Sequence, residues 1–128
     1  MKLSAGLKGE ARLVVGNEDT ARSLRSGEVE VLGTPRLVAL LEEATVDAVD
    51  GCLEAGSTTV GMRVQVDHLQ PTPVGAEVIA EAYLDKIEGR RITFTVTASD
   101  SGGLVAAGKV TRVVVDVNRF MSKCCKSG

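Results

Sequence analysis

The sequence predicts an α+β domain in which one amphipathic helix lies on an antiparallel sheet. One long segment, starting at Thr34, repeats its apolar residues at helical spacing. Four long segments after it read as strands, separated by turns rich in Gly, Pro and Asp. The chain has 128 residues, 44% hydrophobic and 25% charged, which suits one globular domain able to bury a core without staples.

The first element, "GEARLVV" (9–15), is a short strand. "GNEDTARSLRSGEVEVLG" (16–33) is polar and glycine-bounded, a connecting segment with at most a turn of helix, expected to lie beside the site. In "TPRLVALLEEATVDAVDG" the residues Leu37, Leu40, Leu41, Ala44 and Ala48 form one apolar stripe, Thr34 serves as N-cap and Pro35 as first helical residue. Gly51 marks the stop, with Cys52 and Leu53 as the furthest extension. A helix of about 15 residues spans about 23 Å. It cannot cover both faces of such a sheet, so a second subunit is expected on the other face or an edge, most simply in a two-fold dimer.

The strands follow at 57–69, 77–89, 91–100 and 102–117. The first ends at the proline-broken "QPTPVG", a turn at Gly89 joins the second to the third, and "DSGG" precedes the fourth. Irregular alternation in the fourth places a bulge near Gly108. Residues 1–118 make the domain and 119–128 a flexible tail.

Composition narrows the function. Tyr83, Phe94 and Phe120 are the only aromatic residues, so the core is aliphatic and a base-stacking nucleic-acid surface is hard to build. A net charge of -2 with interspersed signs favours neither DNA nor anionic lipid. No stretch reads as a signal peptide or membrane span. Cys52, Cys124 and Cys125 fit neither a disulfide framework nor a zinc template. A cytoplasmic protein without bound metal is expected.

His68, the only histidine, falls in "GMRVQVDHLQPTPVG". A strict period of two sets Val60, Met62, Val64, Val66 and His68 on one face, against Arg63, Gln65 and Asp67. His68 therefore points toward the layer the helix covers. On that helix, 100° per residue separates two adjacent acids. Glu43 shares a solvated side with Arg36, Asp47 and Asp50, whereas Glu42 stacks with Val38 and Val46 at the margin of the buried stripe. Thr34 stands where free N–H groups and the helix dipole favour developing negative charge. A hydroxyl, a carboxylate and an imidazole on one seam suit hydrolysis at a carbonyl. Each residue also has a structural reading: a plain cap, an acid reaching solvent, and a buried histidine held by a backbone carbonyl.

These stretches, with "AAGKVTRVVVD", resemble the hot-dog-fold thioesterases, in particular the fluoroacetyl-CoA thioesterase branch. Thr34, Glu42 eight residues later and His68 a further 26 on stand at that branch's intervals, followed by a TPxG-like turn, Thr72 to Gly75. The resemblance spans roughly residues 30–118. It implies a hot-dog fold, one helix wrapped by a curved antiparallel sheet, and a homodimer (or a tetramer of such dimers) with sites at the subunit interface. It implies acyl-CoA hydrolysis without a cofactor. Thr34 would be nucleophile or water-positioning hydroxyl, His68 general base and acid, and Glu42 the orienting carboxylate. Gly61 joins the substrate-binding candidates. Arg90, Arg91 and Arg112, with Lys109, are candidates for the CoA phosphates. The branch carries a lid of aromatic residues before the helix. Segment 16–33 has none, so a small to medium acyl group is expected rather than fluoroacetyl selectivity. The competing function is a non-catalytic dimer that binds acyl-CoA or a similar ligand as sensor or carrier. An enoyl-CoA hydratase is disfavoured because its Asp–His arrangement differs.

Overall fold

The computed structural model describes residues 2–124. Five strands, β1 (Lys8–Val14), β2 (Ser57–His68), β3 (Glu77–Glu88), β4 (Arg91–Asp100) and β5 (Gly103–Asp116), form one antiparallel sheet in the order β1-β3-β4-β5-β2. Before the long helix come a 3₁₀ turn (Asn17–Asp19) and a short helix, α1 (Ala21–Leu24). The long helix, α2 (Thr34–Ala48), lies across one face of the sheet. Its stripe Leu37, Leu40, Leu41, Ala44 and Ala48 is buried against Val78, Ala80, Ala82 and Leu84 of β3 and Ile92, Phe94 and Val96 of β4. Each such leucine contributes about 1.5–3 kcal/mol by leaving water.

Several sequence expectations are corrected. The cap of α2 is Gly33, not Thr34; the helix begins at Thr34, and no side chain caps it. Gly33 has the extended backbone a cap needs, and a Cβ there would press on Ala21 and Leu24. The helix ends at Ala48, short of Gly51, which takes the left-handed φ of +77° that favours glycine. The bulge expected near Gly108 falls three residues earlier, at Val105, and Gly108 itself pairs regularly with Val96 and Val66. Its glycine character answers instead a close backbone approach, since a Cβ there would overlap the Gln65 carbonyl oxygen. The irregular positions are Met62 on β2, Asp85 on β3 and Val105 on β5, each skipped by the neighbouring register.

The Met62 bulge also breaks the strict period of two read along β2. Val64, Val66 and His68 pair with Val110, Gly108 and Ala106, and so share the α2 face of the sheet. Before the bulge, Thr59 and Gly61 hold that face, not Val60 and Met62. Residues 117–124, assigned in part to a tail, form a third helix, α3 (Val117–Cys124). Asp116 caps it, its Oδ1 accepting the Arg119 N–H at 2.9 Å. Residues 125–128 lie outside the described residues.

The face of β1 nearest α2 needs a glycine. A Cβ at Gly9 would overlap the Ala44 carbonyl oxygen and the Ala48 backbone nitrogen. Gly9→Ala is therefore expected to destabilise the fold by about 1–3 kcal/mol, as overpacking does. Urea unfolding of the variant against the wild type measures it, and an unchanged midpoint would refute this packing.

Candidate active site

Thr34 and His68 meet. The last residue of β2 and the first of α2 bring the Thr34 hydroxyl to 2.8 Å from His68 Nδ1. The backbone cap makes this possible, because a capping threonine would spend its hydroxyl on the helix. Burial lowers the His68 pKa from the ordinary 6.5, outweighing an upward pull from the Gln70 backbone. The other ring nitrogen, Nε2, is buried and has no hydrogen-bond partner among the described residues. Around Thr34 and His68 opens a cavity of about 310 Å³, walled by Val29, Val31 and Leu32 on one side and Leu69, Gln70 and Pro71 on the other.

The connecting segment thus stands beside the site, as expected from its sequence, and it is tied down. The Asp19 carbonyl accepts the Gly33 N–H at 2.8 Å, and its carboxylate takes Arg36 Nε at 3.3 Å. The Leu32 N–H donates to the Thr72 carbonyl at 2.9 Å, and Val31 bridges to Pro73. Thr72 is itself buried, its hydroxyl donating to Asp100 Oδ2 at 2.8 Å. Asp19 and Asp100 had no signal in the sequence beyond their neighbouring turns, since both act through distant partners.

Glu42 is elsewhere in the chain. Eight residues of helix separate it from Thr34 by about 12 Å. Its Oε2 accepts Arg112 Nη1 at 3.0 Å, while Arg112 Nε and Nη2 donate to the Thr59 hydroxyl and carbonyl at 2.8 and 2.9 Å. Gly61 completes this group: a Cβ there would lie 2.5 Å from Glu42 Oε2. An isolated glycine inside a strand was the available signal for that close approach. Helical phase did separate the acids. Glu43 is exposed and pairs with Arg36 at 3.0 Å, whereas Glu42 is half-buried.

The candidates therefore divide into two groups at separate positions on β2. Thr34 and His68 hold one; Glu42, Gly61 and Arg112 hold the other, about 20 Å along the strand. Arg112 is only 7% exposed, and Nε, Nη1 and Nη2 each donate one hydrogen bond to Thr59 or Glu42. Lys109 pairs with Asp85 at 3.0 Å, on a row shared with Thr95. Arg90 and Arg91 are exposed at the β3–β4 turn, at the end of the sheet opposite His68. Among the described residues no cluster of His, Cys, Asp and Glu could hold a metal ion, and no helix is long and apolar enough to cross a membrane.

One helix laid across a curled antiparallel sheet is the architecture of the hot-dog thioester hydrolases with which this chain aligns. The family model of the fluoroacetyl-CoA-specific thioesterase FlK matches residues 15–118. A fluoroacetyl-CoA thioesterase from Streptantibioticus cattleyicolor is 35% identical over 94 residues, 73% of this chain and 68% of the relative. A solved structure of the fluoroacetyl-CoA thioesterase FlK aligns with a TM-score of 0.89 at 30% identity, over 95% of both chains. A thioesterase superfamily member from Thermus thermophilus aligns at 0.89 and 27% identity, over 97% of this chain and 93% of its own. The chain belongs to the fluoroacetyl-CoA-specific thioesterase family.

The lowered His68 pKa has two pH consequences. Folded His68 holds its proton less tightly than the unfolded residue. Its contribution to stability is therefore complete above 6.5 and is lost as pH falls through the lowered value. As a general base it should make kcat/KM rise through an ionisation below 6.5 and level off by neutral pH. A rise centred above 6.5, or none in the wild type beyond that of His68→Ala, would remove His68 from this role.

Proposed function

We propose that this thioesterase hydrolyses small to medium acyl-CoA thioesters in a site completed by two subunits. Thr34 and His68 come from one chain and Glu42, with Arg112 and Gly61, from its partner. The separation of the two groups within one chain carries this reading. β2 lies at the edge of the sheet and is 12 residues long, with Met62 and Val64 47% and 39% exposed. An edge of that length and character calls for a covering strand. Antiparallel pairing of two β2 strands about a two-fold axis lays the His68 half of one against the Gly61 half of the other. The same inversion carries the partner's Arg90 and Arg91 toward the His68 end, where CoA phosphates would meet them.

The chemistry follows from the hydrogen bonding. For Nδ1 to take the Thr34 proton it must be unprotonated, which places the ring proton on Nε2. That donor is buried and lacks an acceptor among the described residues. The Thr34 hydroxyl, or a water it holds, attacks the thioester carbonyl as His68 accepts the proton. Pro35 has no N–H and the Leu37 N–H is bonded to the Gly33 carbonyl, which leaves the Thr34 and Arg36 N–H groups of the first turn of α2 to face the developing oxyanion. The C–S bond then breaks, and CoA leaves as the thiol with the proton from His68. Water supplies the oxygen of the acid, so no redox partner or cofactor enters the balance.

Complementation tests the composite site. His68→Ala and Glu42→Ala should each lose at least about 100-fold in kcat, the scale of a lost acid–base group. Glu43→Ala should stay near wild type. Mixing the two inactive variants should restore about a quarter of wild-type activity, because half of random dimers are mixed and each holds one intact site of two. No recovery on mixing would place all three groups in one chain. Absence of acyl-CoA turnover by the wild type, with tight acyl-CoA binding, would support the ligand-binding dimer instead.

A further inference from the structure

The acyl cavity has no aromatic wall of its own chain. Phe94 is sealed in the core, and Tyr83 occupies the Thr95 row with Lys109. Phe120, on α3, is the remaining aromatic residue. It is 38% exposed, beside Val117 at 40% and Met121 at 46%. These three share one face of α3 at spacings of three and four. Such a stripe on a surface helix requires a cover.

We propose that α3 docks on the mouth of the Thr34–His68 cavity of the partner subunit, where Phe120 forms the outer wall of the acyl pocket. This rests on the two-subunit site described above. Three observations support it. First, α3 is anchored at the end of the sheet remote from its own His68: Asp116 pairs with Ser57, and the Val117 N–H donates to the Gly56 carbonyl at 2.9 Å. Along β2 that end lies more than about 30 Å from His68, and the eight residues of α3 span only about 12 Å. A helix there cannot serve its own cavity. Second, the β2–β2 inversion carries that end beside the partner's His68. Third, the surfaces match. α3 presents Arg119 and Lys123 around its apolar face, while the cavity rim presents exposed Val29 and Leu69 with Glu28 and Glu30 on either side of Val29. Arg22 and Arg25 belong to the preceding helix and its end; residues 26–32 carry acids alone. α3 thereby replaces the aromatic lid that segment 16–33 lacks, and acyl-chain selectivity is set across the interface.

The experiment uses the full chain with Cys52, Cys124 and Cys125 changed to Ser. Wild-type mass in solution and turnover of acetyl- to hexanoyl-CoA first test the dimer and the thioesterase reading on their own. Val29→Cys chains are then mixed with Phe120→Cys chains and treated with a short bismaleimide. A cross-linked pair containing one of each chain is expected. Phe120→Ala is expected to raise KM for acetyl-CoA roughly tenfold and to flatten the preference between short and longer acyl chains, the scale on which apolar contacts discriminate. If the wild type is a dimer that hydrolyses acyl-CoA, the proposal is overturned by the absence of either result, and the two-subunit site is untouched.

Discussion

The extra residue at Met62 sets the facing of everything after it on β2. Side chains on a strand alternate with a period of two, so one inserted residue carries the rest onto the other face. Thr59 and Gly61 precede the insertion and Val64, Val66 and His68 follow it, and all five look toward α2. Without the bulge, a strand that opened Gly61 to the Glu42 carboxylate would turn His68 outward. The Thr34 hydroxyl would then have no imidazole to meet. Met62 bears the consequence and stands half in solvent.

The two polar groups along this strand are held by different physics. Thr34 is available because Gly33 caps the helix through its backbone, and Asp19 and Thr72 hold the approach to that cap by main-chain bonds. Glu42 is held by charge. Arg112 is buried, which opposes its ionised form, and the facing Glu42 with two acceptors from Thr59 offsets that cost. Burying a guanidinium is weak as a source of stability, but it fixes the rotamer of the carboxylate it pairs with. Gly61 gives that carboxylate the room a side chain would have taken.

Much of the site was legible from local patterns. Helical phase alone separated Glu42 from Glu43, because burial of the Leu37–Leu41–Ala44 stripe decides which flank each acid occupies. His68 was singled out by its place on an apolar row, although the row itself was misread before Val64. The bulges at Met62 and Asp85 were not legible, and the one at Val105 was read three residues too late. A bulge is a property of two strands paired in register, and nothing within one strand reports its partner. The pairing of Arg112 with Thr59 and Glu42 was hidden for the same reason, its partners lying 53 and 70 residues away in the chain. The helix at 117–124 escaped because its cap is Asp116, the last residue of a strand, and its apolar face has no core to mark it.

By itself, then, the amino-acid order determined an aliphatic α+β domain, one helix with a chosen buried side, and the flank of that helix on which Glu42 and Glu43 each stand. These are consequences of periodicity and side-chain chemistry, which are local. Tertiary structure decided that Thr34 and His68 form a pair and that Glu42 stands apart with Arg112. Those are matters of where α2 crosses β2 and how β2 registers on β5, and such distances arise only when segments remote in sequence pack together.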